Sequence, residues 1–161
     1  MIRIRHSVKD DFAAIQAIYQ QPGCYSGTLQ LPFRSADYWQ ARLTQLPENS
    51  YSLVAEKEQK VVGQLFLSQC DHPRRRHVAR LGMAVCESSQ GQGIGKQLIR
   101  AALELANDWL AITRVELEVY TDNDAAIGLY RSFDFEVEGT MKNYAFRQGQ
   151  YVDAYMMARV S

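Results

Sequence analysis

The sequence predicts a mixed α/β (α+β) domain of about seven strands and four helices, in the order β-α-α-β-β-β-α-β-α-β-β. Three observations carry that prediction. Val78 to Val85 is mostly apolar or small, as an interior strand is, and beyond a glycine-rich loop Ile94, Leu98, Ala102, Leu105 and Trp109 recur at helical spacing. Arg114 to Tyr120 alternates strictly, with Val115, Leu117 and Val119 on one face and Glu116, Glu118 and Tyr120 on the other. Two pairs of β-rich runs, Ser52 to Glu56 with Val61 to Leu67 and Glu136 to Phe146 with Tyr151 to Arg159, are each joined by a short polar turn and read as antiparallel hairpins.

The chain opens on a strand in which Ile2 and Ile4 alternate with basic residues as far as His6. Asp10 and Asp11 start a helix with apolar positions Phe12, Ile15, Ile18 and Tyr19, and Gln21-Pro22-Gly23 ends it. Tyr25 to Leu31 has no clear period; Ser35-Ala36-Asp37 then begins a second helix through Tyr38, Trp39, Leu43 and Leu46. Gly63, inside the first hairpin, marks a bulge or a close backbone approach. The run Arg74-Arg75-Arg76, flanked by His72 and His77, reads either as a solvated loop or as a rim that draws phosphates. Glu116 and Glu118 lie on a strand that should be covered on both faces, so a carboxylate pair there needs water or a cleft. The last helix follows, with Asp122 or Asn123 as its N-cap and with Asn123, Ala126 and Tyr130 on one face. Gly149 supplies positive φ to the final hairpin turn.

With 161 residues, 47% hydrophobic and 22% charged, the chain suffices for one compact domain over 1–161 with a full core. Eighteen basic residues cancel eighteen acidic ones, so no net charge draws the chain to nucleic acid or to an anionic membrane. Cys24, Cys70 and Cys86 form neither a CxxC pair nor metal-ligand spacing, which points to reduced thiols in a cytoplasm and to no metal. No run of about 18 apolar residues occurs, and a membrane span is not expected.

Glycines at 91, 93 and 95 bare the main chain, so that successive N–H groups can face one concavity. The first turn of the following helix adds unpaired N–H groups and the positive end of its dipole, with Lys96 as a nearby point charge. A diphosphate-bearing cofactor fits such a turn. A triphosphatase loop would need Ser or Thr after Gly95-Lys96, where Gln97 stands, and the dinucleotide spacing G-x-G-x-x-G is not met. Gln90-Gly91-Gln92-Gly93-Ile94-Gly95 fits Q/R-x-x-G-x-G/A, and here the chain resembles the GNAT superfamily of acyl-CoA-dependent N-acetyltransferases, whose glycine loop holds the coenzyme A pyrophosphate. A second motif of that superfamily, N-x-x-A-x-x-L-Y-x-x-x-G-F, is matched by Asn123, Ala126, Leu129, Tyr130 and Phe135. Asp134 stands in place of its glycine, where the helix closes in a left-handed conformation that Asp tolerates better than most residues. Gly139 to Tyr144 and Tyr151 to Tyr155 are similar to the YhhY-type branch of bacterial GNAT enzymes.

The resemblance implies a mostly antiparallel central sheet with a splayed strand pair at the cofactor cleft, acetyl-CoA as cosubstrate, and a small-molecule amine, above all an amino acid, as acceptor. It assigns coenzyme binding to Met83, Ala84 and Val85 on the strand, to Gln90, Gly91, Gln92, Gly93, Ile94, Gly95 and Lys96 in the loop and helix entrance, and to Asn123 and Ala126. Tyr130, a phenol with an ordinary pKa of about 10, is the expected acid for a departing thiolate, and a backbone N–H of Met83-Ala84-Val85 is expected to meet the oxyanion. Glu118, five residues before Asn123, matches the proton acceptor of the ribosomal-protein alanine acetyltransferases; it reads as a direct or water-relayed base, or as a holder of the acceptor's charge. Two other functions stay open. A protein N-terminus as acceptor needs an open groove between the early helices and the terminal hairpin, and a non-catalytic acyl-CoA-binding module needs no acceptor at all. Tyr25, Phe33 and Tyr144 fall near the presumed cleft, and a terminal strand able to pair across a two-fold axis admits a homodimer.

Overall fold

A computed structural model describes residues 1–161. Its strands are β1 (Ile2–His6), β2 (Ser50–Lys57), β3 (Lys60–Gln69), β4 (Val78–Val85), β5 (Arg114–Tyr120), β6 (Glu136–Arg147) and β7 (Gln150–Val160). They form one seven-stranded sheet in the order β1-β2-β3-β4-β5-β7-β6. Neighbours are antiparallel except β4 and β5, which run parallel. The helices are α1 (Phe12–Tyr19), α2 (Pro22–Ser26), α3 (Ala36–Thr44), α4 (Ile94–Glu104) and α5 (Asp124–Arg131).

Strand alternation sends successive residues to opposite faces of the sheet, and each face carries its own core. Leu53, Ala55, Leu65, Leu81, Leu117 and Val119 pack with Leu98 and Ile99 of α4 and with Ile127 and Tyr130 of α5. On the other face Val54 and Ala84 pack with Ile15 and Ile18 of α1 and with Trp39 and Leu43 of α3. No helix is long and apolar enough to cross a membrane.

Three local readings change on contact with the structure. Pro22 does not only end α1: its fixed φ and missing N–H suit a first helical position, and it opens α2, a fifth, five-residue helix that the periodicity did not signal. The helix after the glycines ends in a π turn over Leu105–Trp109, which adds a residue to the turn, breaks the 3.6 repeat and leaves Trp109 78% exposed instead of on the apolar face. Glu116 does not line the cleft and is neutralised by two arginines. It is 7% exposed and takes hydrogen bonds from Arg114 Nε at 2.8 Å and from an Arg75 nitrogen at 3.1 Å.

Gly63 meets both of the reasons offered for it. The register between β2 and β3 slips beside it, between Ala55 and Glu56, and a Cβ at Gly63 would stand 3.0 Å from Leu98 and 3.1 Å from Ile94. Asp134 takes φ 68° and Gly149 φ 80°, as their positions require. The edge of the sheet beside the terminal hairpin is β6, and β7 lies inside it.

Asp11 ties the start of α1 to the sheet. Its carboxylate accepts from Arg5 at 2.8 and 3.1 Å and from the Val8 N–H at 2.7 Å. Burial pushes its pKa up, but the Arg5 and Val8 hydrogen bonds outweigh this and hold it below the ordinary carboxylate value. A carboxylate held low releases its proton more readily folded than unfolded, so its stabilisation is complete above about pH 4 and fades as pH falls through the folded value. Asp11→Asn should therefore lower unfolding free energy by about 1–3 kcal/mol at neutral pH. In urea titrations the deficit should shrink on acidification; an equal deficit at pH 7 and pH 3 would contradict the charge-based origin.

Candidate active site

The parallel pair β4 and β5 stays in register for three steps only, Val78 with Arg114, Ala79 with Val115 and Arg80 with Glu116. Beyond them the strands part. β4 continues along β3, with Met83 opposite Leu65 and Ala84 opposite Gln64, while β5 continues along β7, with Glu118 opposite Met156 and Tyr120 opposite Ala154. The fork opens a cleft of about 780 Å³ that reaches both faces of the sheet.

Met83, Ala84 and Val85 form one prong of the fork and line the cleft. Gln90, Gly91 and Gly93 of the loop, with Ile94, Gly95 and Lys96 of the first turn of α4, form its mouth. Asn123, Ala126 and Tyr130 come from α5, and Glu118 from the other prong. Thirteen of the fourteen predicted residues thus meet in one place. Gln92 stands apart, its side chain accepting from Lys57 of β2. Tyr144 lines the cleft, whereas Phe33 is 95% exposed and Tyr25 lies outside the wall.

The three glycines divide the work. Gly91 and Gly93 have φ of 77° and 80°, and a Cβ on either would enter open space, so both supply left-handed backbone with bare N–H groups. Gly93 is also the N-cap of α4. Gly95 has no such φ; a Cβ there would stand 3.0 Å from Met83 and 3.1 Å from Leu129, so its role is close packing of α4 against β4 and α5. Loop amides, a helix entrance and exposed Lys96 together make a cradle fitted to a diphosphate. Asn123, and not Asp122, caps α5: its Oδ1 accepts from the Ala126 N–H at 3.2 Å, while Asp122 pairs with Arg147.

The basic run is not part of this mouth. It precedes the first residue of β4 and the glycines follow its last, so an eight-residue strand, roughly 25 Å long, separates them. Arg75 serves Glu116 instead, which removes the reading of this loop as a phosphate-drawing rim beside the glycines.

Tyr130 is 7% exposed and packs on Phe135 with ring centroids 5.7 Å apart. Burial alone pushes its pKa up to about 12, and no hydrogen bond from the protein engages its hydroxyl. It is a protonated donor throughout the neutral range. Glu118 lies on the opposite face, where it is ion-paired to Arg80. Sequence patterning found the carboxylate and missed this partner; the parallel register, which sets Arg80 beside Glu116 and two residues from Glu118 on the same face, is the feature that brings them together. Tyr120 donates to the Thr28 carbonyl at 2.9 Å, fastening the segment after α2 to β5.

A family model described as Acetyltransferase (GNAT) family matches residues 13–135. The chain is 44% identical over 159 residues to L-amino acid N-acetyltransferase AaaT (YhhY) of Escherichia coli K12, covering 99% of this chain and 98% of that protein. An N-acetyltransferase from Staphylococcus aureus Mu50 has the same fold at 21% identity, with a TM-score of 0.90 over 99% of this chain and 98% of that one. A phosphinothricin acetyltransferase from Sinorhizobium meliloti, solved in complex with acetyl-CoA, superposes with a TM-score of 0.88 at 23% identity, over 99% of this chain and 88% of that one.

Proposed function

The chain belongs to the GNAT family of acetyltransferases, and from that membership we propose that it moves the acetyl group of acetyl-CoA onto the α-amine of a free L-amino acid, by direct attack within a ternary complex. The observation that carries this reading is the continuity of the cleft through the fork. The glycine loop and Tyr130 line it on one side, Glu118 and Tyr120 on the other, and only the parted strands lie between. Two substrates entering from opposite faces meet there.

In this reading the Gly91 and Gly93 amides and the entrance of α4 hold the pyrophosphate, and Met83 to Val85 guide the thioester arm and turn a main-chain N–H to the oxyanion. The amine attacks the thioester carbon and loses a proton to Glu118, directly or through water. The C–S bond breaks, and the thiolate leaves against the Tyr130 hydroxyl, taking up a proton from water to become the thiol. Full transfer from a phenol near 12 to a thiolate near 8.5 would be uphill by about 3.5 pKa steps, roughly 5 kcal/mol. Tyr130 therefore acts best as a hydrogen-bond donor to the sulfur as charge develops. The amine's proton balances the thiol's when the step is complete.

A small acceptor is favoured over a protein N-terminus by the Tyr120–Thr28 hydrogen bond, which ties the segment after α2 to β5 where both line the cleft. The similarity to AaaT, an L-amino acid N-acetyltransferase, supports the same acceptor class. Following thiol release from acetyl-CoA with separate pools of amino acids, polyamines and peptides tests the proposal. Turnover confined to amino acids is expected. Turnover of peptides alone, or tight coenzyme binding with no turnover, would contradict it.

Gly82 offers a check on the acceptor half. It sits on the cleft side of β4 opposite Phe66, with no positive φ and nothing within 4 Å of a Cβ placed there. Neither conformation nor packing calls for glycine in this strand interior, whereas room in the cleft does. Gly82→Val should leave thermal stability unchanged or slightly raised, by up to about 1 kcal/mol. It should raise KM for acceptors with large side chains by about tenfold, with little change for small ones. Equal effects on all acceptors would remove Gly82 from the pocket.

A further inference from the structure

The proposed base is not alone at the fork: Arg80 of β4 reaches across to Glu118 of β5, at the level where the two strands part. The arginine side chain is 55% exposed and the glutamate 15%, so the guanidinium keeps an open flank on the cleft, which both residues line. A guanidinium carries five N–H donors in a planar fork, and Arg80 spends one nitrogen on Glu118. The cleft thus presents a positive and a negative group in contact.

We propose that Arg80 reads the α-carboxylate of the acceptor, so that the Arg80–Glu118 pair recognises an amino acid as a zwitterion. This rests on the amino-acid reading above. One carbon separates the amine of an amino acid from its carboxylate, so an amine delivered to Glu118 brings the carboxylate within reach of the neighbouring guanidinium. The two dipoles match in opposite sense, and a bidentate carboxylate–guanidinium contact fixes the acceptor's orientation as well as its charge. A polyamine or a peptide interior offers no anion at that distance, and Arg80 then disfavours a second cation there.

Arg42, the other arginine of the cleft wall, is less suited. Its guanidinium lies over Phe66, 4.3 Å from the ring centroid, and donates to the Tyr38 hydroxyl at 3.2 Å, beside a separate depression lined by Gln45 and Ser50. Phe66 pairs with Gly82, so the stack rises from the β3 side of the cleft and not from the fork.

The test compares an amino acid that the unaltered enzyme acetylates with its carboxamide, which keeps the side chain and amine and lacks the anion. The amide's amine is the more acidic, so chemistry alone favours the amide. Preference for the acid is therefore recognition. The unaltered enzyme is expected to prefer the acid by tenfold or more in kcat/KM. Arg80→Gln should raise KM for the acid by about 10–100-fold and that for the amide by much less, so that the preference for the acid is lost, and should be partly rescued by Arg80→Lys. Calorimetric titration of the amino acid into protein saturated with coenzyme A should lose affinity in the same proportion. The inference is overturned if the unaltered enzyme takes acid and amide equally, or if Arg80→Gln weakens both alike while moving the pH–rate profile, which is the signature of merely holding Glu118. Selective loss of the acid on Arg42→Gln in place of Arg80→Gln overturns it too. If the unaltered enzyme acetylates no amino acid at all, the underlying amino-acid reading fails and this inference with it.

Discussion

Replacing Tyr130 by phenylalanine is expected to lower turnover by about 10²-fold or more while leaving acetyl-CoA affinity little changed. The ring would keep its packing on Phe135. Because no hydrogen bond from the protein engages the hydroxyl, its removal should not disturb the fold, and the melting temperature should stay nearly constant. An interaction made only as the sulfur leaves appears in kcat and not in coenzyme binding. With the phenol pushed up to about 12, no loss of activity on its account is expected as pH rises to about 10. Unchanged turnover in the variant would remove Tyr130 from the chemistry.

Glu118→Gln is expected to cost about 10²-fold in turnover at neutral pH, with a pH dependence that identifies the cause. A peptide α-amine with pKa near 8 is roughly 10% neutral at pH 7, and the α-amine of a free amino acid, whose own carboxylate holds its pKa higher, is less neutral still and needs a base; that help becomes superfluous once the solution itself deprotonates the amine. The gap between variant and unaltered enzyme should therefore narrow as pH is raised past the amine's pKa. A gap of constant size would leave Glu118 holding the acceptor's charge without taking its proton. Loss of folding in the variant is not expected, since the amide oxygen still accepts from Arg80.

The part of the site built from contiguous sequence was legible before any coordinates. Gly91, Gly93 and the start of α4 were readable because glycine alone adopts φ > 0 without steric cost while leaving its amide bare of a side chain, and Asn123, Ala126 and Tyr130 because helical spacing places them on one face. What depended on pairing between distant strands was not legible. Alternation put Glu116 and Glu118 on one face, but it could not tell that Arg75 and Arg114 neutralise the first while Arg80 leaves the second at an open fork. Gly95 shows the same limit: spacing grouped it with two conformational glycines, while its neighbours Met83 and Leu129 make it a packing one. Pro22 reads as a terminator from one side and as an initiator from the other, and only the register of the chain beyond it decides.

The central claim is that main-chain amides of the glycine loop grip the coenzyme's pyrophosphate while its thioester arm passes through the fork to Tyr130. A crystal structure of the protein with coenzyme A bound tests it most directly. The diphosphate oxygens are expected within hydrogen-bond distance of N–H groups between Gly91 and Lys96, and the sulfur beside the Tyr130 hydroxyl. Coenzyme seated outside the loop, or with its sulfur directed away from the gap between β4 and β5, would contradict it.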